Sequence, residues 1–152
     1  GLGDVYKRQH MDRIKVKYHN PICTIEKIRV GDWIDLKSAE TIEIREGDSA
    51  RISLGVSMEL PKGYEAILAP RSSLFSNHGL LMVNSIGIID SSYCGDRDIW
   101  KAEFYATRYT KIYEGERIVQ FRILRNQPEV QFENVLTLEN VSRGGFGSTG
   151  LF

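Results

Sequence analysis

The sequence has few cysteines, no net charge and no long apolar run, and each absence excludes a class of protein. Its two cysteines, Cys23 and Cys94, are too few for a disulfide framework and lack the spacing of a metal site. Lys and Arg together number 20, as do Asp and Glu, which argues against broad electrostatic binding to nucleic acid or to an anionic membrane. No run of about 18 apolar residues occurs, so no membrane-spanning helix is predicted. We therefore expect a cytoplasmic protein with no nucleic-acid or membrane partner.

The length of the chain, 152 residues, suits one domain and is too short for two comfortable ones. Hydrophobic residues make up 41% of it, which is enough for a folded core. Residues 1–10 (GLGDVYKRQH) fit nothing that follows, whereas Met11 begins a plausible native start. We expect a non-native leader over residues 1–10, one domain over residues 11–138 and a Gly-rich arm over residues 139–152.

Apolar residues recur at a period of two, which is typical of β-strands. Turn-forming residues such as Gly31-Asp32 and Pro61-Lys62-Gly63 separate these stretches. Many short strands at near-regular spacing predict an all-β sandwich or barrel. A single short helix is predicted near residues 72–77, with Ser72 or Ser73 as its cap. The predicted strands include residues 14–18, 42–44, 64–68, 118–123 and 130–135.

A first candidate for chemistry is the segment Pro70-Arg71-Ser72-Ser73. The guanidinium group of Arg71 offers a planar fork of donors that matches phosphate oxygens, and the two hydroxyls add further donors. This predicts a phosphate-binding segment. The alternative interpretation is a surface arginine beside a capping serine.

A second candidate is the segment over residues 84–96, which is predicted to form a β-hairpin with Asp90 and Tyr93 at its mouth. A carboxylate at that place could orient and deprotonate a water molecule. Gly87 would allow a planar ring to approach the backbone closely. The alternative for Asp90 is a carboxylate that stabilises its own turn.

Three further segments contain polar residues in an unusual setting. Asp35 lies between apolar neighbours in a predicted strand, which suggests either contact with a hydrated Mg²⁺ or a salt-bridged acid. Arg117 and Gln120 are polar members of an apolar strand, and we interpret them as support for a phosphate site or as edge residues. The Gly-rich segment over residues 143–150 combines an Arg, an aromatic ring and two hydroxyls, which suits a phosphate attached to a ring; otherwise it is a flexible tail.

Together these segments resemble the five short motifs of the trimeric dUTP diphosphatases (dUTPases). The forms GDWIDL and SYCGD are most similar to those of Gram-positive bacteria and their phages. The resemblance covers nearly everything after residue 30. The matching segments are GDWIDLKSA (31–39), PRSSL (70–74), NSIGIIDSSYCG (84–95), GERIVQF (115–121) and RGGFGSTG (143–150).

The resemblance implies an all-β distorted jelly roll that works as a homotrimer, with three active sites at subunit interfaces. It implies Mg²⁺ as cofactor and hydrolysis of dUTP to dUMP and pyrophosphate, which keeps uracil out of DNA and supplies dUMP for dTTP synthesis. The arm of one subunit would close over a neighbour's site. If the chain derives from a phage, a regulatory protein partner is also expected.

The same resemblance implies roles for particular residues. Asp90 would activate the water that attacks the α-phosphorus, and Asp35 would contact Mg²⁺ through water. Tyr93 would pack against deoxyribose, and Phe146 would stack on uracil, which is held by the backbone of residues 86–89. The implied substrate-binding residues are Arg71, Ser72, Ser73, Asn84, Gly87, Ile89, Tyr93, Gln120, Arg143, Phe146, Gly147, Ser148 and Thr149.

Two departures and two alternatives accompany the resemblance. Cys94 stands where many relatives have Arg, and Trp33-Ile34 stands where Gly-Tyr is common. A dCTP deaminase shares the implied fold and would need a catalytic Glu, for which Glu103 is the candidate, although it lies far from Asp90 in the sequence. A regulatory binding protein on the same scaffold is the second alternative.

Overall fold

The computed structural model describes residues 13–26, 30–145 and 150. The predicted leader over residues 1–10 lies outside them, as do residues 146–149 and 151–152 of the predicted arm. The regular structure is almost entirely β, as the periodicity predicted. The elements are β1 (Lys15–Tyr18), a 3-10 turn (Pro21–Cys23), β2 (Ile34–Lys37), β3 (Ile42–Ile44), β4 (Ser49–Ser53), β5 (Val56–Glu59), β6 (Tyr64–Pro70), α1 (Leu74–His78), β7 (Leu80–Met82), β8 (Gly87–Ile89), β9 (Lys101–Ala106), β10 (Thr110–Ile112) and β11 (Arg117–Arg125).

The strands pair antiparallel in four groups. The largest is a four-stranded sheet in the order β2-β11-β6-β8, and a three-stranded sheet has the order β4-β9-β7. Two further pairs are β1 with β5 and β10 with β3. The nine-residue strand β11 lies between β2 and β6, and it places Phe121 opposite Ile34 on one side and Leu68 on the other.

The core lies between the inward faces of these sheets and contains large aromatic side chains. Trp100, Phe104 and Phe121 are all buried. The rings of Trp100 and Phe121 meet edge to face, with centroids 5.3 Å apart and an interplanar angle of 83°. Such contacts add to the hydrophobic stabilisation that burial of the rings provides.

A β-bulge at the start of β11 explains why two adjacent residues are both buried. In a regular strand, neighbouring side chains point to opposite faces. The pairing of β11 with β2 shifts register between Arg117 and Val119, and Ile118 and Val119 are both fully buried. The bulge leaves Arg117 exposed at the end of the strand.

The predicted strand over residues 130–135 is wrong. No strand is formed over residues 126–145, and Phe132 is 96% exposed. The apolar periodicity is present in the sequence, but within the described residues no neighbouring strand pairs with this segment. A strand needs a partner for its backbone groups as well as alternating side chains.

The predicted hairpin over residues 84–96 is also wrong. The strand in this segment, β8, pairs with β6, and Ile89 lies opposite Ala66. Turns and bends follow β8 over residues 91–97, and no return strand forms there. The predicted helix is present as α1, although Ser73 at its N-cap makes no side-chain capping hydrogen bond. In the described part of the chain, no helix has the length and apolar character needed to cross a membrane.

Gly55 and Gly63 both have positive φ, and they provide a test of how tightly the core edge is packed. A Cβ atom at Gly55 would lie 2.6 Å from the Sγ atom of buried Cys23, whereas one at Gly63 would meet nothing within 4 Å. We expect Gly55→Ala to lower the free energy of unfolding by about 2–4 kcal/mol, through backbone strain and overpacking. Gly63→Ala, the matched control, should lose only about 1 kcal/mol, through strain. Urea denaturation measures both, and equal losses would contradict the predicted contact with Cys23.

Candidate active site

The four-stranded sheet brings three of the candidate segments together at one end. Gln120 on β11 lies opposite Asp35 on β2 and opposite Ala69 on β6. Arg71 follows the last residue of β6 and therefore lies beside this group. The Nε2 atom of Gln120 donates a hydrogen bond of 3.2 Å to the Pro70 carbonyl oxygen, which ties β11 to the start of the Arg71 segment.

Two arginines share the carboxylate of Asp35. Arg71 Nε lies 3.4 Å from Asp35 Oδ1, and Arg117 Nη1 lies 3.7 Å from Asp35 Oδ2. Arg71 also donates to the Arg117 carbonyl oxygen, at 3.3 Å. The side chain of Asp35 is 26% exposed, so the pairs are partly open to solvent. These contacts agree with the salt-bridged alternative for Asp35.

Glu26 is a member of this charge group that the sequence analysis missed. It pairs with Lys37, at 2.6 Å, and with Arg117. The hydrogen bonds from Lys37 and then from Arg117 lower the pKa of Glu26, so it is ionised at neutral pH. The group thus contains three cations, Arg71, Arg117 and Lys37, and two carboxylates. Its guanidinium groups, with their planar N–H donors, favour an anionic ligand.

A cavity of about 420 Å³ opens beside Arg71 and Arg117. Ser73 lines it and is partly exposed, and Ser72 is exposed next to it. The cavity is therefore bordered by guanidinium and hydroxyl donors, the groups that bind phosphate oxygens. Its lining residues are Arg71, Ser73, Leu74, Asn77, His78, Glu116 and Arg117.

Asp90 follows β8 and is exposed. Its Oδ1 atom accepts a hydrogen bond of 2.9 Å from the Ser92 N–H, so the carboxylate stabilises its own turn, as the alternative interpretation had it. The backbone N–H of Ser92, and then its hydroxyl, lower the pKa of Asp90 below the ordinary 3.8. Asp90 is therefore ionised at neutral pH, which a general base also requires.

A turn follows Asp90, and the partly exposed strand β8 precedes it. Tyr93 donates through its hydroxyl to the Ile99 carbonyl oxygen, at 3.0 Å, which fixes the ring on the turn. Gly87 and Ile89 are half-buried, and Asn84 is exposed. Within the described residues β8 pairs only with β6, so its other edge has free backbone donors and acceptors.

Asp90 and Arg71 do not meet within one chain. Because Ile89 lies opposite Ala66, Asp90 falls opposite Glu65 at the far end of β6, whereas Arg71 follows its near end. At about 3.3 Å per residue, the six positions between Glu65 and Arg71 correspond to roughly 20 Å. The candidate phosphate-binding residue Arg71 and the candidate general base Asp90 therefore lie at opposite ends of the sheet.

The remaining predicted residues contribute little to the described geometry. Arg143 is exposed, and Phe146, Gly147, Ser148 and Thr149 lie outside the described residues. No cluster of three or more His, Cys, Asp or Glu side chains that could hold a metal is found in the part of the chain described. His78 and Glu116, which line the cavity, were missed in the sequence analysis, although Glu116 lies within the segment GERIVQF.

Comparison with known proteins places this geometry in context. The dUTPase family model matches residues 33–150. An SPbeta prophage-derived deoxyuridine 5'-triphosphate nucleotidohydrolase of Bacillus subtilis is 50% identical over 139 residues, which cover 91% of this chain and 98% of that protein. The jelly-roll prediction agrees with the solved structures of dUTPases, to which this fold is similar.

Two phage structures illustrate the similarity. The dUTPase of Staphylococcus bacteriophage 80alpha with dUpNHpp has a TM-score of 0.72 at 26% identity, covering 93% of this chain and 100% of that one. The dUTPase of phage phi11 of S. aureus, in a structure that reveals the coordination of a structural Mg(II) ion, has a TM-score of 0.71 at 18% identity, covering 85% of this chain and 100% of that one.

The turn around Asp90 generates a prediction about its ionisation. Ser92→Ala removes the hydroxyl and keeps the N–H donor, so the pKa of Asp90 should rise toward 3.8 while staying below it. Carboxyl ¹³C NMR over an acid titration measures this pKa. Ser91→Ala, one residue away, is the control and should leave the pKa where it is. A pKa that stays constant or falls in Ser92→Ala would refute the assigned cause.

Proposed function

The chain belongs to the dUTPase family of nucleotide hydrolases, and we propose that it hydrolyses dUTP to dUMP and pyrophosphate. In the cell this reaction would keep uracil out of DNA and supply dUMP for dTTP synthesis. The observation that carries the proposal is the convergence of Arg71, Asp35, Arg117 and Gln120 at one end of a sheet whose other end holds Asp90.

The phosphates would bind at the arginine end of the sheet. Arg71 offers several N–H donors, and the hydroxyls of Ser72 and Ser73 lie beside it on the segment that leads into α1. Gln120, whose side chain is already oriented by the Pro70 carbonyl, would support the phosphates or the attacking water. A triphosphate arriving here would compete with Asp35 for the guanidinium groups, so binding exchanges one set of ion pairs for another.

Asp35 fits a water-mediated role toward magnesium. Mg²⁺ is usually bound through one or two carboxylates, several water molecules and substrate phosphates, and Asp35 supplies one partly exposed carboxylate at the arginine end. When bound to the nucleotide phosphates and to waters held by Asp35, the ion would neutralise phosphate charge. Asp35 itself would orient those waters and hold Arg71 and Arg117 in place before the substrate arrives.

The uracil and sugar would bind at the end of the sheet that contains Asp90. The edge of β8 that does not face β6 offers backbone groups around residues 86–89, which suit the alternating donor and acceptor atoms of uracil. Of these groups, the Ile86 N–H already donates to the Asn84 carbonyl oxygen. Gly87 and Ile89 belong to β8, Asn84 lies in the turn that precedes it, and Tyr93 would pack against deoxyribose. Asp90, ionised at neutral pH, would take a proton from the water that attacks the α-phosphorus.

The distance between the two ends supports a site shared between subunits. One nucleotide cannot contact Arg71 and also deliver its α-phosphorus to Asp90 of the same chain if roughly 20 Å of sheet separate them. A symmetric homotrimer would bring Asp90 of one chain beside Arg71 of another. Residues 139–152 would then close over a neighbour's site as a lid, with Arg143, Gly147, Ser148 and Thr149 at the phosphates and Phe146 on uracil.

The geometry does not favour the deaminase alternative. Glu103, the candidate for a deaminase, lies on β9 in the three-stranded sheet and forms an ion pair of 3.7 Å with Arg51. It is therefore on a different sheet from Asp90. A role as a regulatory binding protein, and a regulatory partner of a phage enzyme, remain predictions.

A nucleotide panel tests the proposed activity. With Mg²⁺ present, we expect pyrophosphate release from dUTP and much less from dCTP, dTTP and UTP, with no ammonia from dCTP. Asp90→Asn should lower kcat by at least about a hundredfold because the base is lost, while dUTP binding in calorimetry is kept. Undiminished kcat in this variant would reject the general-base role, and ammonia release from dCTP would support a deaminase.

Mixing two inactive variants tests the shared site. Asp90→Asn and Arg71→Ala homotrimers should each be nearly inactive. After the two are unfolded and refolded together, random assortment should rebuild about a quarter of the sites, since one chain supplies Asp90 and its neighbour supplies Arg71. Each variant refolded alone is the control. If the mixture recovers no activity while mixed trimers are detected by native mass spectrometry, the site lies within one chain.

A further inference from the structure

His78 is the last residue of α1, and it connects this helix to β10 and to the turn between β10 and β11. Its Nδ1 atom lies 2.7 Å from the Thr110 hydroxyl at the start of β10, and its Nε2 atom contacts the Glu116 carboxylate in the turn before β11. An ionised carboxylate accepts hydrogen bonds and cannot donate one, so the Nε2 atom of His78 carries the proton. In the neutral ring, Nδ1 then accepts a hydrogen bond from the Thr110 hydroxyl. The imidazole is 15% exposed and the Glu116 side chain 29% exposed.

These contacts link the two segments that carry the arginines of the candidate site. The Arg71 segment leads directly into α1, and Glu116 directly precedes Arg117. Arg71, His78, Glu116 and Arg117 all line the same cavity of about 420 Å³. The contact between His78 and Glu116 therefore forms part of the wall next to both guanidinium groups.

Glu116 differs from the other carboxylates near the arginines. Asp35 pairs with Arg71 and Arg117, and Glu26 pairs with Lys37 and Arg117. Among the described residues, the Glu116 carboxylate contacts the imidazole of His78 and no Lys or Arg side chain within 4 Å. A carboxylate in this wall is unfavourable for a phosphate ligand, because it repels the anion and competes for the arginine donors.

We propose that His78 is a positioning residue for phosphate binding: its hydrogen bond holds the Glu116 carboxylate against the imidazole and away from Arg71 and Arg117. Arg71 and Arg117 then keep their ion pairs with Asp35 and Glu26, and the nucleotide does not have to displace a further carboxylate. This inference rests on the proposed function. A simple tether between helix and strand would need only the hydrogen bonds of His78. The proposed role also depends on the negative charge of Glu116.

Two substitutions of similar size separate the hydrogen bond from side-chain volume. His78→Leu removes both contacts, so Glu116 is free to turn toward the arginines, and we expect KM for dUTP to rise about tenfold with a smaller fall in kcat. His78→Gln keeps an N–H donor within reach of Glu116 and should restore most of the loss. Equal KM values for the Leu and Gln variants would overturn the proposal.

A double-mutant cycle tests the role of the charge. In the Glu116→Gln background, where no carboxylate remains, the KM effect of His78→Leu should shrink from about tenfold to less than about threefold. Thr110→Val cuts the other contact of the imidazole, and it should shift KM by less than about threefold even if the melting temperature falls. A full tenfold effect in the Glu116→Gln background, or an equal effect of Thr110→Val, would show a tether and overturn the proposal.

Pyrophosphate release by the unmodified protein distinguishes a failure of this inference from a failure of the proposed function. If it fails to release pyrophosphate from dUTP in the same assay, the proposed function is wrong. If it turns dUTP over and the His78 variants keep the unmodified KM, only the positioning role is wrong. Circular dichroism and the oligomeric state of each variant, measured alongside, ensure that folded protein is compared.

Discussion

The pairing of β11 with both β2 and β6 is the interaction on which the candidate site depends. Register in an antiparallel sheet determines which residues lie side by side, and a shift of one residue would turn every side chain to the other face. Here the register places Gln120 beside Asp35 and brings the Pro70–Arg71 junction next to both. Burial of Phe121 between Ile34 and Leu68 stabilises that register, because slippage would expose a large aromatic ring.

The same sheet also separates the groups that the proposed chemistry requires. β8 adds to the outer side of β6 in a register that puts Asp90 at the end remote from Arg71. A rigid seven-residue strand between them cannot shorten to bring them together. The proposal of a site shared between copies of the chain follows from this geometry, and in that proposal the outer edge of β8 would bind the base.

Charged side chains cluster locally although the chain as a whole has no net charge. Arg71, Arg117 and Lys37 gather with Asp35 and Glu26 in a partly exposed network whose members hold one another in place. Such preorganisation reduces the conformational freedom that a bound phosphate would have to remove. The inferred role of His78 fits this arrangement, because a carboxylate left unrestrained in the same wall would compete for the arginine donors that the network presents.

The sequence by itself determined the class of fold and predicted the segments of the candidate site, because side-chain periodicity and short motifs are local properties. The period of two predicted four of the eleven described strands, β1, β3, β6 and β11, and short motifs identify the segments around Asp35, Arg71 and Gln120. Only the tertiary structure decided which strands pair. It joined β8 to β6 where a local hairpin was expected, and it left residues 130–135 without a strand. It also placed Glu26, His78 and Glu116 at the candidate site, through contacts between residues that are 11 to 91 positions apart in the sequence. Such contacts depend on which strands become neighbours, and that is settled by burial of the whole core, which no local pattern specifies.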